Sequence, residues 1–398
     1  MAQPEEIYLD HDASAPLLPE ARAAILRALD IGPGNPSSSH AAGRRLRRVL
    51  GDARQDVADL VGANSSEIVF TSGTSESNAL GIRGLLGALP REKRRIVLTE
   101  AAHPGTLTLA EALREDGVDI AVVGVDAQGV VSVADLASAT GEQPCVLSIS
   151  AAQSVTGALQ PVAAIGRALP EASLHCDAAQ LVGRVPVEFH ALGAATLAFS
   201  AHKMGGPRGI GALVIRDGAA FKAPDGEAAQ ERGRRAGTEA VALAAGFAAA
   251  ATVARSWPVA HGAAWRALLQ PLRAFVGEFG GGEVVTPDHA LPNTLLVRFA
   301  GCPGDAVLAA LDGVGIRVST GTACASGART PPRVLTTAGH SDVEASECIR
   351  VSVGVGSTER DVARLLGALR DALPRIRAAL SSTSAGEPTG APKPDTER

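Results

Sequence analysis

Thr196-Leu197-Ala198-Phe199-Ser200-Ala201-His202-Lys203-Met204-Gly205-Gly206-Pro207 passes from an apolar pentapeptide into a hydroxyl, an imidazole, a lysine and a glycine turn. A short apolar run bounded by turn residues reads as a buried strand, and this one delivers the chain directly to Lys203. A lysine amine attacks a carbonyl carbon only after losing its proton. Desolvation or a neighbouring cation lowers its pKa from about 10.4 toward neutrality. On its own, a lysine after a strand is an exposed, solvated side chain. The residues around Lys203 make it a candidate for imine chemistry instead.

Outward from this stretch, apolar runs recur at Glu67 to Thr71, Arg95 to Thr99, Asp119 to Val123, Cys145 to Ser150, Leu174 to Asp177 and Gly211 to Arg216. Helical patterns lie between them, at Ser75 to Leu89, Gly105 to Asp116 and Val162 to Leu169. This alternation predicts an α/β fold with a large, mainly parallel sheet whose ligand site lies beyond the carboxyl ends of the strands. After an Ala-rich helix from about Thr238 to Ser256 the pattern changes. A strand at Pro292 to Phe299, a helix near Gly304 to Leu311, strands at Ile316 to Ser319 and Ile349 to Val353, and a helix from Thr358 to Leu380 predict a smaller α+β domain. The expected division is 16–256 for the large domain and 1–15 with 257–380 for the small one. The stretch 381–398, rich in Ser, Thr, Pro, Gly and charge, has little to bury and is expected to be disordered.

The chain has 398 residues, 46% of them hydrophobic, enough for two cores. A net charge of -5, a pI near 6.0 and 3% aromatics offer neither a basic footprint nor a stacking platform, so nucleic acid is not expected as a direct ligand. The N-terminus lacks a basic region followed by an apolar stretch, and the run Val241 to Val253 is too short to span a bilayer; the expected location is cytoplasmic. The five cysteines, at 145, 176, 302, 324 and 348, are odd in number and contain no Cys-x-x-Cys pair. That spacing suggests neither a disulfide framework nor a zinc site.

Two further motifs stand at predicted strand ends. Phe70-Thr71-Ser72-Gly73-Thr74-Ser75-Glu76-Ser77-Asn78 follows a strand and opens a helix, where backbone N–H groups and hydroxyls converge on one point. Such a turn is either a phosphate site or a plain N-cap. His175-Cys176-Asp177-Ala178-Ala179-Gln180 places a carboxylate at a strand end and an amide three residues later. A carboxylate there is either a helix cap or a partner for a protonated pyridine nitrogen.

In the order phosphate turn, His103, Asp177 with Gln180, then Lys203, the chain resembles the fold-type I, class V aminotransferase superfamily, and within it the cysteine desulfurases. The resemblance runs from Tyr8-Leu9-Asp10 to about Leu365. It is carried also by Gly34-Asn35-Pro36-Ser37-Ser38-Ser39-His40, Gln230-Glu231-Arg232-Gly233-Arg234-Arg235-Ala236-Gly237-Thr238 and Leu291-Pro292-Asn293-Thr294. It implies pyridoxal 5'-phosphate (PLP) as cofactor, bound to Lys203, with Asp177 on the pyridine nitrogen and Gln180 on the phenolic oxygen. It further implies Thr74, Ser75, Ser200 and His202 around the phosphate, Thr238 joining them from the second subunit of a homodimer, and His103 stacked on the ring. Taken alone, His103 before Pro104 reads equally as a loop histidine.

Val318-Ser319-Thr320-Gly321-Thr322-Ala323-Cys324-Ala325-Ser326-Gly327 resembles the mobile cysteine loop of the longer-loop desulfurases, with Cys324 at the nucleophile position. A small, glycine-containing loop suits a thiol that must swing between substrate and acceptor. Ser346-Glu347-Cys348-Ile349-Arg350-Val351-Ser352 matches the family strand whose arginine holds the substrate carboxylate, making Arg350 the expected anchor for L-cysteine. Cys348 reads as a packing residue.

The chain also departs from the family. Gln153-Ser154-Val155-Thr156-Gly157 stands where an Asn-Asn-Glu-x-Gly run is usual, putting Ser154 in place of an asparagine that contacts the phenolic oxygen. Asp10-His11-Asp12-Ala13-Ser14-Ala15-Pro16 replaces an Asn-Ala-Ala-Thr-Thr-Pro type of motif, and Asp225-Gly226-Glu227-Ala228-Ala229 replaces a glycine run. The expected activity is conversion of L-cysteine to L-alanine with a persulfide on Cys324, passed to a sulfur-acceptor protein such as an iron–sulfur scaffold or a thiolation enzyme. The alternative is a related C–S or C–Se lyase, or an aminotransferase, acting on another amino acid.

Overall fold

The computed structural model describes residues 6–224, 226, 230–321 and 331–384, with side chains to 380. In chain order the strands are β1 Ile7–Tyr8, β2 Ile68–Thr71, β3 Arg95–Thr99, β4 Asp119–Val123, β5 Val146–Ser150, β6 Ser173–Asp177, β7 Thr196–Ser200, β8 Gly211–Ile215, β9 Gly282–Val284, β10 Thr294–Phe299, β11 Ile316–Arg317 and β12 Cys348–Ser352.

β2 to β8 form a seven-stranded sheet in the order β2-β8-β7-β6-β5-β3-β4. The pairs from β4 to β7 are all parallel, while β8 is antiparallel to both β7 and β2, so only β8 runs against the rest. Helices cover both faces of a parallel sheet, so its inner strands are buried on both sides. β5, β7 and β8 are buried at every residue, whereas the edge strand β4 is largely uncovered. Each strand expected in this sheet lies within a residue of its expected place.

The second half forms a three-stranded antiparallel sheet, β12-β10-β9, and a two-stranded parallel one, β1-β11. The first described residues thus pair with strands more than 300 positions later, as Ile7 does with Ile316 and Asp10 with Ser352. One apolar cluster runs without a break from Phe199 and Phe247 beneath the large sheet to Phe299 and Leu365.

Several helices exceed the sequence expectation. Pro19–Leu29, Ala41–Val61 and Trp257–Glu278 were not anticipated, and the Ala-rich helix is Val241–Ala254. Ala41–Val61 has a legible pattern, with Leu46, Leu50, Ala53, Val57, Leu60 and Val61 buried on one stripe. Its ends are set by the His40 ring accepting from the Gly43 amide and by Gly62 at φ 63. The final helix, Glu359–Ser384, continues past Leu380 into the stretch expected to be disordered, because no helix breaker follows Pro374 there. Residues 385–398 and the cysteine loop from Thr322 to Gly327, including Cys324, lie outside the described residues. Among the described residues no helix is long and apolar enough to cross a membrane.

Candidate active site

The site forms where β2, β5, β6 and β7 end. Thr71 and Ser200 both pair with Gly211, on opposite sides of β8, so the turn after β2 and the turn after β7 leave the sheet at one level. Gly211 must lack a side chain: a Cβ there would lie 2.7 Å from both Gly73 Cα and the Phe199 carbonyl oxygen. Helix Thr74–Ala88 starts at that turn, with its unpaired N–H groups and positive dipole end over the sheet edge. Lys203 and His202 sit in the 3-10 turn Ala201–Met204 that follows β7 directly.

Three of the expected cofactor residues share one property. Thr74 Oγ1, Ser200 Oγ and Gln180 Oε1 are buried without a hydrogen-bond partner among the described residues. Buried polar atoms are nearly always paired, and leaving one unpaired costs about 1–3 kcal/mol. Gln180 Nε2 donates to the Asp12 carbonyl at 3.0 Å, so the atom left over is an acceptor and its partner must be a hydroxyl or N–H. Two hydroxyls beside a helix N-terminus, with an acceptor by a lysine and a carboxylate, fit a phosphorylated hydroxypyridine. The residues present fit PLP.

Asp177 closes β6 and is held from two directions. Its Oδ1 accepts from the Ala179 amide at 3.0 Å and its Oδ2 from Asn78 Nδ2 at 2.8 Å. Asn78 Oδ1 faces His175 Nε2 at 3.0 Å, and His175 Nδ1 faces Thr196 Oγ1 at 2.8 Å. Since Asn78 spends its NH2 on Asp177, His175 must donate through Nε2 and accept the Thr196 hydroxyl at Nδ1. Burial pushes the His175 ring down to about 4 against the opposing pull of Asp177, so the ring is neutral and this tautomer holds near pH 7.

Burial, then the Lys203, Arg208 and Arg184 cations, likewise press His202 down to about 4. Its Nδ1 lies 3.3 Å from Ser14 Oγ. His103 caps helix Pro104–Glu115, accepting from the Gly105 amide at 3.0 Å, just beyond the end of β3. Ser75 is the second residue of helix Thr74–Ala88. Ser154 stands in the turn after β5, where its carbonyl accepts from Arg350 Nη1 at 2.6 Å. Arg350 Nη2 meets Asp10 Oδ1 at 2.7 Å, while its buried Nε has no partner among the described residues. Thr238 is exposed ahead of helix Val241–Ala254.

Sequence reading missed four contributors. Asn78 has no signal in sequence beyond its place at the end of the Phe70 to Asn78 stretch, and the pairings of Asp10, Asp12 and Arg184 involve partners too distant in sequence to read locally. The four described cysteines, 145, 176, 302 and 348, are all buried. Burial raises each thiol, that of Cys348 to about 12, which suits packing and not nucleophilic attack.

Known proteins share this architecture. The class-V aminotransferase family profile matches residues 7–365. A cysteine desulfurase of Frankia sp. (strain EuIK1) is 36% identical over 393 residues, covering 95% of this chain and 93% of its own. A NifS-like protein of known structure superposes with a TM-score of 0.85 at 30% identity, covering 95% of this chain and 100% of that one. The structure of SspA in complex with cysteine gives a TM-score of 0.77 at 28% identity over 87% of this chain and 98% of its own. With near-complete coverage in sequence and fold, and a site shaped for PLP, the chain belongs to the class-V aminotransferases, in the cysteine desulfurase branch of that PLP-dependent family.

Proposed function

We propose that this protein is a PLP-dependent cysteine desulfurase in which L-cysteine and a protein thiol yield L-alanine and a protein persulfide. The observation that carries the assignment is that Thr74 Oγ1, Ser200 Oγ and Gln180 Oε1, at the strand ends that also bear Asp177 and Lys203, are buried without a hydrogen-bond partner among the described residues. PLP, when bound, supplies a ring that withdraws the electrons released at the substrate Cα.

The chain's own groups then have separable tasks. Thr74, Ser75, Ser200 and His202 hold the phosphate, with Thr238 reaching the same group from the second subunit of a homodimer. Asp177, fixed by Asn78, keeps the ring nitrogen protonated. Gln180 and Ser154 would contact the phenolic oxygen, and His103 would cover the ring. Lys203 would hold the cofactor, and its amine, once free, would be placed to move the proton at the substrate Cα. Arg350 holds the substrate carboxylate, its planar guanidinium making a contact that a lysine would not. Cys324 as thiolate attacks the substrate sulfur, the S–Cβ electron pair stays with carbon, and a proton completes alanine.

The division into a PLP-binding unit, 16–256, and a smaller unit of 1–15 with 257–380 follows the same reading. So do transfer of the persulfide to a separate sulfur-acceptor protein and a cytoplasmic location. The test is incubation of the PLP-loaded protein with sulfur-labelled cysteine, followed by peptide mass spectrometry. Label on the Cys324 peptide together with stoichiometric alanine supports the assignment. Pyruvate or a keto acid in place of alanine points instead to the lyase or aminotransferase alternative.

A further inference from the structure

The phosphate turn and the arginine anchor do not account for a buried ion pair beneath Lys203. Asp12 and Arg184 are 1% and 5% exposed, and Arg184 Nη2 lies 3.1 Å from Asp12 Oδ1. Asp12 Oδ1 also accepts from Asn293 Nδ2 at 3.1 Å, and Oδ2 accepts from Thr294 Oγ1 at 2.6 Å. Its amide donates to Ser352 Oγ at 3.0 Å, and its carbonyl accepts from both Gln180 Nε2 and the Lys203 amine. One residue therefore touches the start of β10, the end of β12, the turn after β6 and the lysine turn.

We propose that Asp12 and Arg184 are a positioning pair for Lys203: the Asp12 main chain seats the amine, and the two side-chain charges oppose each other in deciding whether that amine carries a proton. This rests on the reading of Lys203 as the cofactor lysine. Replacing a buried ion pair by apolar residues of similar volume is often neutral or stabilising, so packing alone is a poor reason to keep one. The charges nearby are balanced. Asp10 and Asp12 on the N-terminal segment act on Lys203 and face Arg350 on β12 and Arg184 after β6, and Asp177 closes β6. His11 and His202, both pressed down to about 4 chiefly by burial, are neutral near pH 7, and Arg208 acts on His202 from beyond the lysine turn. Burial works against the Asp12 charge, but Arg184, Arg350, the Thr294 hydroxyl and Lys203 outweigh it and keep the carboxyl below its ordinary value.

The experiment follows the visible absorbance of the PLP-loaded, full-length protein across pH and takes the midpoint of the protonation change. Asp12→Asn leaves Arg184 uncompensated and lowers the midpoint by about one unit. Arg184→Met leaves Asp12 uncompensated and raises it by about one, the order of shift that a nearby unpaired charge produces. Arg184→Lys keeps the charge and leaves the midpoint in place. A parallel measurement, competitive reductive methylation of Lys203 in the PLP-free protein read by peptide mass spectrometry, gives the same order of midpoints. Opposite shifts support the pair; unmoved midpoints, or shifts of the same sign, overturn it. If Arg184→Met does not fold, Asp12→Asn and Arg184→Lys decide. A lowered midpoint in the first with none in the second supports the proposal, and an unmoved Asp12→Asn overturns it. Absence of any Lys203-linked band in the unsubstituted protein would instead defeat the cofactor reading.

Discussion

Asn78, one turn into a helix, donates to the carboxylate of Asp177, at the end of a strand 99 residues later, across 2.8 Å. His175 supports Asn78 from behind, and Gly81 makes room for it: a Cβ at Gly81 would lie 2.7 Å from His175 Nδ1. The aim of the carboxylate is thus set by a chain of three neutral groups, Thr196, His175 and Asn78.

Asn78→Ala removes the donor to Asp177 and leaves the His175 N–H without an acceptor. A hydrogen bond to a charged group contributes about 1.5–3 kcal/mol, so PLP dissociation measured by equilibrium dialysis should rise at least about tenfold. Unfolding in urea should show a loss of about 1–3 kcal/mol from the unpaired imidazole.

Thr74→Val and Ser200→Ala should act oppositely on the two forms of the protein. Without PLP, each removes a buried hydroxyl that has no partner among the described residues, and stability should hold or rise by up to about 1 kcal/mol. With PLP, if each hydroxyl donates to the phosphate as proposed, its removal should lower affinity about tenfold or more. Thermal unfolding with and without PLP checks both signs.

His175 makes stability depend on pH. Its ring titrates near 4 when folded, against 6.5 when exposed, so the unfolded chain binds the extra proton between those values. Its contribution is complete above about pH 6.5 and is lost as pH falls through 4, amounting to about 3 kcal/mol at the acid end. Urea unfolding from pH 7 to pH 4 should show this loss, and His175→Gln should flatten the slope.

Arg54 and Glu231 form a buried ion pair at 2.6 Å, in which Glu231 also accepts from the Phe70 amide at 3.1 Å. Glu231 and Arg232 hold positive φ values of 47° and 56°. This pair ties helix Ala41–Val61 and the segment around Gln230 to β2, just ahead of the phosphate turn. Arg54→Met strands the carboxylate and should destabilise the fold by about 3–5 kcal/mol in urea.

The strands of the large sheet were legible because each is a short apolar run closed by turn residues, and the motifs were legible because each occupies a strand end. Helix Pro19–Leu29, with one apolar stripe among alanines, and helix Trp257–Glu278, interrupted by Pro271, carry weaker patterns and were missed. Tertiary packing against helix Val241–Ala254 and the sheets stabilises them beyond what their own periodicity implies.

Lys203, Asp177, Ser200 and Thr74 could be set at strand ends from sequence because the turn that follows each strand is encoded by the residues beside it. Periodicity and turn chemistry act over a few residues, so they determine the order of the elements and the groups at their ends. Which polar and charged side chains meet is a different matter. The pairing of Asp12 with Arg184, of Asp10 with Arg350 and of Asn78 with Asp177 depends on which faces close on one another, and a buried charge is stable only where a distant partner arrives. Those partners were chosen by the packed fold, since no local pattern relates residues separated by 99 to 340 positions.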